Sequence, residues 1–342
     1  MKMLDQKISK QVKAYCTKIG ADPLLVQGAG GNVSWKDGEV LWVKASGTWL
    51  AHAENEEIFI PVDLAHLRAE ISEENFSSTP KVLANTSLKP SIETMLHALM
   101  PHKIVVHLHA VEILAHLVRK NPLEDLRRLI GDVVDWVFVD YCKPGAYLAS
   151  AVRKSLQEKP DANIVFLKSH GLVIGGDSIH EINCALNRIL KPLRTPVGEV
   201  KTEVRAMHVD LDASLTYNGY RPCDDLEIHF LANRYEFSSR LKSEWALYPD
   251  HVVFLGSEPT IIEDLNVDGY FNKSLNCRPL FIFILNVGVY EFRSVRHAHR
   301  LQLRCYFDVL ARQPEFIELA SMSKSQISEL LDWEAEKYRQ AL

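Results

Sequence analysis

Residues Lys103-Ile104-Val105-Val106-His107-Leu108-His109 decide how this chain is read. After Lys103 the run is β-branched and apolar through Val106, which predicts a buried strand. Side chains two apart on a strand leave the same face, so His107 and His109 can reach a common point. A second run of this kind, Asn163-Ile164-Val165-Phe166-Leu167, leads into Ser169-His170-Gly171. Upstream stands Pro90-Ser91-Ile92-Glu93. There Pro90 and Ser91 open a predicted helix, with Ser91 as N-cap and Met95, Leu96 and Leu99 on its apolar side. Three imidazoles and one carboxylate in this order predict a metal site with an acid/base group beside it. Three neutral nitrogen donors leave one coordination position open, the arrangement of a catalytic rather than a structural zinc site.

Ahead of this set lies a Gly-rich loop, Gly28-Ala29-Gly30-Gly31-Asn32, then two short predicted strands around Asp37-Gly38. That dipeptide signals a tight hairpin. A two-residue turn there sets 36 opposite 39, 34 opposite 41 and 32 opposite 43, bringing the Gly-rich loop and Ala45-Ser46-Gly47 to one end. The loop is no dinucleotide fingerprint, because position 33 is valine and a helix, not a strand, precedes it. It is either a backbone cradle for a small anion, with Asn32 and Ser46 as added donors, or a pair of tight turns. Glu93 likewise suits a helix N-terminus as well as chemistry, and His97 is expected simply to pack. His297-Ala298-His299 repeats the two-residue spacing, but in a helical pattern. There the side chains diverge by about 200°, so no shared metal is expected.

Leu4, Ile8, Val12, Tyr15 and Ile19 predict an opening amphipathic helix, and further helices are expected over 111–119, 148–156 and 179–190. Pro192, Pro196 and Gly198 place a boundary near residue 200, dividing a domain of residues 1–200 from one of 201–342. In the second part, helices over 224–245, 294–312 and 326–340 and strands over 252–255 and 281–285 predict a mixed α+β extension. It is expected to cover or lengthen the first part without carrying the primary catalytic groups. The net charge of −5 argues against nucleic acid as a partner. The most apolar stretch, 280–289, is interrupted by Asn286 and too short to span a bilayer, so no membrane partner is expected. Six cysteines without a CxxC pair or regular spacing fit reduced thiols in the cytoplasm.

Gly31-Asn32-Val33-Ser34, Ser46-Gly47, Pro90-Ser91-x-Glu93, His107-x-His109 and His170-Gly171 stand in one order. Over residues 5–195 the chain thereby resembles the class II aldolase/adducin superfamily, which includes L-fuculose-1-phosphate aldolase. The segment 144–177, with Pro249-Asp250-His251-Val252, is also similar to the aldolase half of rhamnulose-phosphate aldolase/alcohol dehydrogenase proteins. The resemblance implies an α/β fold, a three-layer α/β/α sandwich on a largely antiparallel sheet. It implies that His107, His109 and His170 hold zinc or another divalent metal and that Glu93 is the acid/base. Gly31, Asn32, Ser46, Gly47 and Ser91 would hold the substrate phosphate. The implied reaction is reversible aldol cleavage of a sugar or sugar phosphate through a metal-stabilised enediolate. A homo-oligomer is implied too, a tetramer by resemblance, with Tyr141 matching a tyrosine donated between subunits.

The superfamily also holds sugar epimerases and decarboxylases, and non-catalytic adducin-like scaffolds. A scaffold is expected to lose ligands, whereas this chain keeps three histidines and Glu93. Two departures bear on the substrate: Ile92 stands where fuculose-phosphate aldolases carry a second serine, and the compact aldolases have no counterpart of residues 215–342.

Overall fold

In the computed structural model, which describes residues 3–195, 197, 209–263, 271 and 278–335, the hairpin turns one step later than its sequence suggests. Strands β1 (Asn32–Asp37) and β2 (Val40–Lys44) are joined by Gly38-Glu39. Gly38 takes a φ of 56° and Glu39 does not share it, the glycine-first form that matches strand twist. The pairs are therefore Ser34↔Val43 and Lys36↔Leu41, two residues from the expected register. A slip of two keeps every side chain on its expected face. The Gly-rich loop and Ala45-Ser46-Gly47 still meet at one end.

Among the described residues the larger sheet adds β3 (Phe59–Asp63), β4 (Ile104–Leu108), β5 (Trp136–Val139), β6 (Ile164–Leu167) and β7 (Gly171–Gly176). Its order is β3-β2-β1-β4-β7-β6-β5, antiparallel throughout except between β5 and β6. Helices α1 (Met3–Gly20), α4 (Val111–Leu117), α5 (Pro122–Leu129) and α7 (Ile179–Leu193) cover one face. Helices α2 (Leu64–Ser72), α3 (Thr94–Leu99) and α6 (Ala146–Glu158) cover the other. This is the three-layer α/β/α sandwich on a mostly antiparallel sheet. Both faces are covered, which is why β4 is apolar along nearly its whole length. Ile104, Val106 and Leu108 pack toward α1 and α7, and Val105 toward α3 and α6. His107 shares the face of Val105, toward the chain that leads into α3.

The second half carries a four-stranded sheet in the order β8 (Tyr220–Pro222), β11 (Gly288–Phe292), β10 (Phe281–Ile284), β9 (Thr260–Ile262). Around it lie α8 (Val209–Tyr217), α9 (Phe230–Asn233), α10 (Tyr235–Ser243), α11 (Pro249–Leu255), α12 (His297–Leu310) and α13 (Lys324–Leu331). The strand expected over 252–255 is the end of α11. Pro249 fits the first helical position, where no N–H is missed. Burial of Val252, Val253 and Phe254 then overrides their β preference. The helix expected over 224–245 is broken into a 3₁₀ turn, α9 and α10. The boundary expected near residue 200 and the end of the helix expected over 326–340 lie outside the described residues.

This second core encloses His251 among Trp245, Tyr248 and Tyr306. Burial pushes its imidazole down to about 3, and burial also lowers His97 and His107. A free imidazole titrates near 6.5. Between those values the unfolded chain binds protons that the folded chain excludes. Stability is therefore whole above the free value and falls as pH drops below it, by up to about 1.4 kcal/mol per pH unit for each such group. The urea midpoint of metal-free protein should fall steadily from about pH 7 to about pH 5. A flat profile would contradict this.

Candidate metal centre

The three histidines meet because three different constraints converge on them. His107 sits on β4, and its Nδ1 lies 3.0 Å from the Leu172 carbonyl oxygen on β7. That nitrogen donates its proton to the carbonyl, which leaves the lone pair on Nε2. His109 follows β4 by one residue, and its Nε2 lies 3.0 Å from His107 Nε2. His170 belongs to the turn between β6 and β7, where Ser169 takes a φ of 51°. Gly171 is required there, because a Cβ would run into the Leu108 carbonyl oxygen and hold the turn away from β4. The ring centroids stand 4.9, 4.9 and 5.3 Å apart, and all three rings are buried.

Glu93 arrives by a route the sequence reading placed differently. Helix α3 begins at Thr94, so Ser91 and Glu93 precede it rather than forming its first turn. Pro90 bridges to Ala45, and the Ser91 N–H donates to the Lys44 carbonyl. The segment is thus pinned, extended, to the end of β2. The Ser91 hydroxyl accepts from the Glu93 N–H at 3.2 Å and caps no helix. Buried Glu93 then places one carboxylate oxygen 3.5 Å from His107 Nε2 and the other 3.5 Å from His170 Nε2. His97 pairs with Ser34 Oγ at 2.8 Å and stays out of this group, as expected.

This donor set fits a divalent cation. Two Nε2 lone pairs facing each other at 3.0 Å repel unless a positive charge lies between them. Tetrahedral nitrogen ligands of zinc, at roughly 2.0–2.1 Å from the ion, stand about 3.3 Å apart, on the scale seen here. Burial holds His107 below its ordinary value, keeping it in the neutral form that binds metal. The three ligand atoms lie within 4.8 Å of one another.

Above the histidines is a small cleft, partly open to solvent, lined by Gly31, Ser46, Gly47, Ser91 and Glu93. Gly31 takes a φ of 65°, and a Cβ there would stand 3.1 Å from the His107 carbonyl oxygen. The Ser46 N–H is used by the Lys89 carbonyl, so Ser46 offers the cleft its hydroxyl. Asn32 pairs with His107 across β1 and β4, which puts both on one face. Its side-chain amide is buried, and neither of its polar atoms has a protein partner among the described residues. Leaving such an amide unsatisfied costs about 1–3 kcal/mol.

Two residues escaped the sequence reading. The buried Lys44 amine donates to the carbonyls of Ala29 at 3.0 Å and Thr48 at 2.7 Å, tying the two small-residue loops together. Its signal was a lysine closing an otherwise apolar strand, Val40-Leu41-Trp42-Val43-Lys44. Asp250 comes from α11 and places Oδ2 3.2 Å from His109 Nδ1. It also lines the cleft, so the second half, expected to cover or lengthen the first without carrying the primary catalytic groups, adds a residue to the wall of the site. Tyr141 packs against the second core of its own chain, with its hydroxyl buried. His297 stacks on Trp49 and His299 accepts from the Arg296 N–H. They form no joint site among the described residues, as their helical spacing requires.

Residues 10–188 match the Class II Aldolase and Adducin N-terminal domain, and the chain belongs to that family. It is 30% identical over 176 residues to "Uncharacterized oxidoreductase YuxG" of Bacillus subtilis (strain 168). That match covers 47% of this chain and 25% of the relative, so the chain spans about a quarter of the relative's length. Among solved structures it is similar to the N-terminal class II aldolase domain of a conserved protein from Thermoplasma acidophilum. The identity is 26%, covering 54% of this chain and 90% of that one, with a TM-score of 0.45. It is also similar to YgbL from Klebsiella pneumoniae, a putative aldolase/epimerase/decarboxylase. There the identity is 21%, over 59% of this chain and 96% of that one, with a TM-score of 0.40. Among the described residues no helix is long and apolar enough to cross a membrane.

The contrast between two glycines tests how the centre is held. Gly171→Ala should cost about 3 kcal/mol or more, since the added methyl meets main chain that has nowhere to go. Gly38→Ala meets no atom within 4 Å and should cost only about 1–2 kcal/mol for its left-handed backbone. Denaturant unfolding of both variants measures this, and equal losses would refute the packing argument.

Proposed function

We propose that the protein is a metal-dependent aldolase that breaks or forms a carbon–carbon bond in a sugar or sugar phosphate. The observation that carries this reading is Glu93, whose carboxylate is buried 3.5 Å from the Nε2 atoms of both His107 and His170. His107, His109 and His170 would hold the divalent metal, zinc by donor type. When bound, it supplies Lewis-acid polarisation of a substrate carbonyl and its adjacent hydroxyl. Glu93 stands where a carbon beside that carbonyl can exchange a proton with it.

In cleavage, the hydroxyl beyond the scissile bond passes its proton to the Glu93 carboxylate and becomes the carbonyl of the departing aldehyde. The electron pair of the carbon–carbon bond passes to the carbon next to the polarised carbonyl, and Glu93 returns a proton there. Synthesis reverses each transfer. Gly31 and Gly47 let main chain approach the far end of the substrate, where Asn32, Ser46 and Ser91 offer hydrogen bonds. Ile92 offers none, so an anionic end is held by fewer donors than a second serine would allow. A screen of ketose phosphates for aldehyde release identifies the substrate. Altered stereochemistry without aldehyde would point to epimerisation instead.

Wild-type protein should carry one divalent metal per chain, and His107→Ala, His109→Ala and His170→Ala should each lose it. Elemental analysis decides, and unchanged content in all three variants would sink the assignment.

Glu93→Gln should keep fold and metal while solvent deuterium exchange at the substrate carbon falls by about 10²-fold or more. Full exchange in that variant would remove Glu93 from its role.

A further inference from the structure

We propose that Asp250, supplied by the second half of the chain, is the positioning residue that orients His109 at the metal centre. This rests on the metal-site reading above and extends it to a residue outside the matched family region, 10–188. Asp250 is 3% exposed and stands in the first turn of α11. Its Oδ2 lies 3.2 Å from His109 Nδ1, the ring nitrogen on the side away from His107. From α12, Gln302 Nε2 donates to the same oxygen at 3.3 Å. The order Gln302, Asp250, His109 therefore runs inward from the second core to the cleft.

The Gly-rich loop is shaped around this pair. A Cβ at Gly30 would stand 3.1 Å from both Asp250 Oδ2 and His109 Nδ1. Gly30 does not adopt the left-handed backbone of Gly28 and Gly31, so at this position glycine serves space and not conformation. Three segments far apart in sequence thus close on a single Nδ1···Oδ2 approach. An aspartate that merely stabilised a helix start would be served by a solvent-facing position. This one is buried against an imidazole.

An imidazole binds metal through the nitrogen opposite its proton, so the partner of the protonated nitrogen decides which way the lone pair points. For His107 that partner is the Leu172 carbonyl. For His109 it is a carboxylate, which also makes the ring a stronger donor. Asp250 itself is no ligand in this arrangement, because it lies on the Nδ1 side while Nε2 faces His107.

The test uses the full chain and reads metal affinity by competition with a chromophoric chelator, together with the visible absorption of the cobalt-loaded protein. Asp250→Asn should still take up one metal at saturation, with affinity weakened about 10–100-fold and an altered cobalt spectrum. Asp250→Glu should recover part of both. Gln302→Met should weaken affinity less than Asp250→Asn, and His109→Ala should abolish stoichiometric binding. Wild-type affinity and spectrum in a folded Asp250→Asn, beside a His109→Ala that has lost its metal, would overturn the inference and leave the metal-site reading standing. If Asp250→Asn fails to fold, wild-type affinity and spectrum in Gln302→Met would overturn it equally. Full metal in His109→Ala would bring down the metal-site reading, and this inference with it.

Discussion

Two imidazole nitrogens 3.0 Å apart beside a buried carboxylate need a proton or a cation between them, and the architecture around them is arranged to tolerate that density of polar atoms. Polar groups buried without partners cost several kcal/mol, so the outward nitrogens of His107 and His109 face the Leu172 carbonyl and the Asp250 carboxylate. The β4–β7 register puts the Leu172 carbonyl against His107. The close approach at Gly171 brings His170 up to the same end of the sheet. The tie between Pro90-Ser91 and the end of β2 delivers Glu93 from the opposite side. The geometry is thus a matter of strand register and of main-chain contacts that side chains could not replace.

What was legible in the sequence was periodic or local. The face shared by His107 and His109 follows from the two-residue repeat of a strand, and α1 and α7 from helical spacing. The misreadings share one cause: a distant contact outweighed a local preference. Asp37-Gly38 signals a turn, yet the chain turns at Gly38-Glu39, where β1 finds its pairing with β4 as well as β2. Ser91 has the chemistry of a helix cap, but hydrogen bonding to the end of β2 keeps it extended. Val252 and Val253 favour strands, and a fully enclosed position makes them helical.

Asp250 illustrates a different limit. The tetrapeptide Pro249-Asp250-His251-Val252 was visible as a unit, but its role depends on which ring it meets. No spacing within the chain encodes the docking of α11 against the end of β4. Lys44 is similar: a lysine closing a strand reads as a surface residue until the carbonyls of Ala29 and Thr48 are found around its amine. For Lys44 the clue available was a charged side chain closing an apolar strand.

Helix α4, directly after His109, belongs to two cores at once. Ile113 and Leu117 pack with the larger sheet, while Val111, Leu114 and Val118 pack with Trp245, Leu303 and Tyr306 of the second half. Enclosed on both sides, it works as a shared wall. Loosening either core strips half of its support, so local opening on one side cannot spare the other. Both cores therefore bear on one helix of seven residues, and amide hydrogens enclosed in this way are expected to exchange slowly. Through this helix, which starts two residues after His109, the second core has a continuous packed route to the histidines.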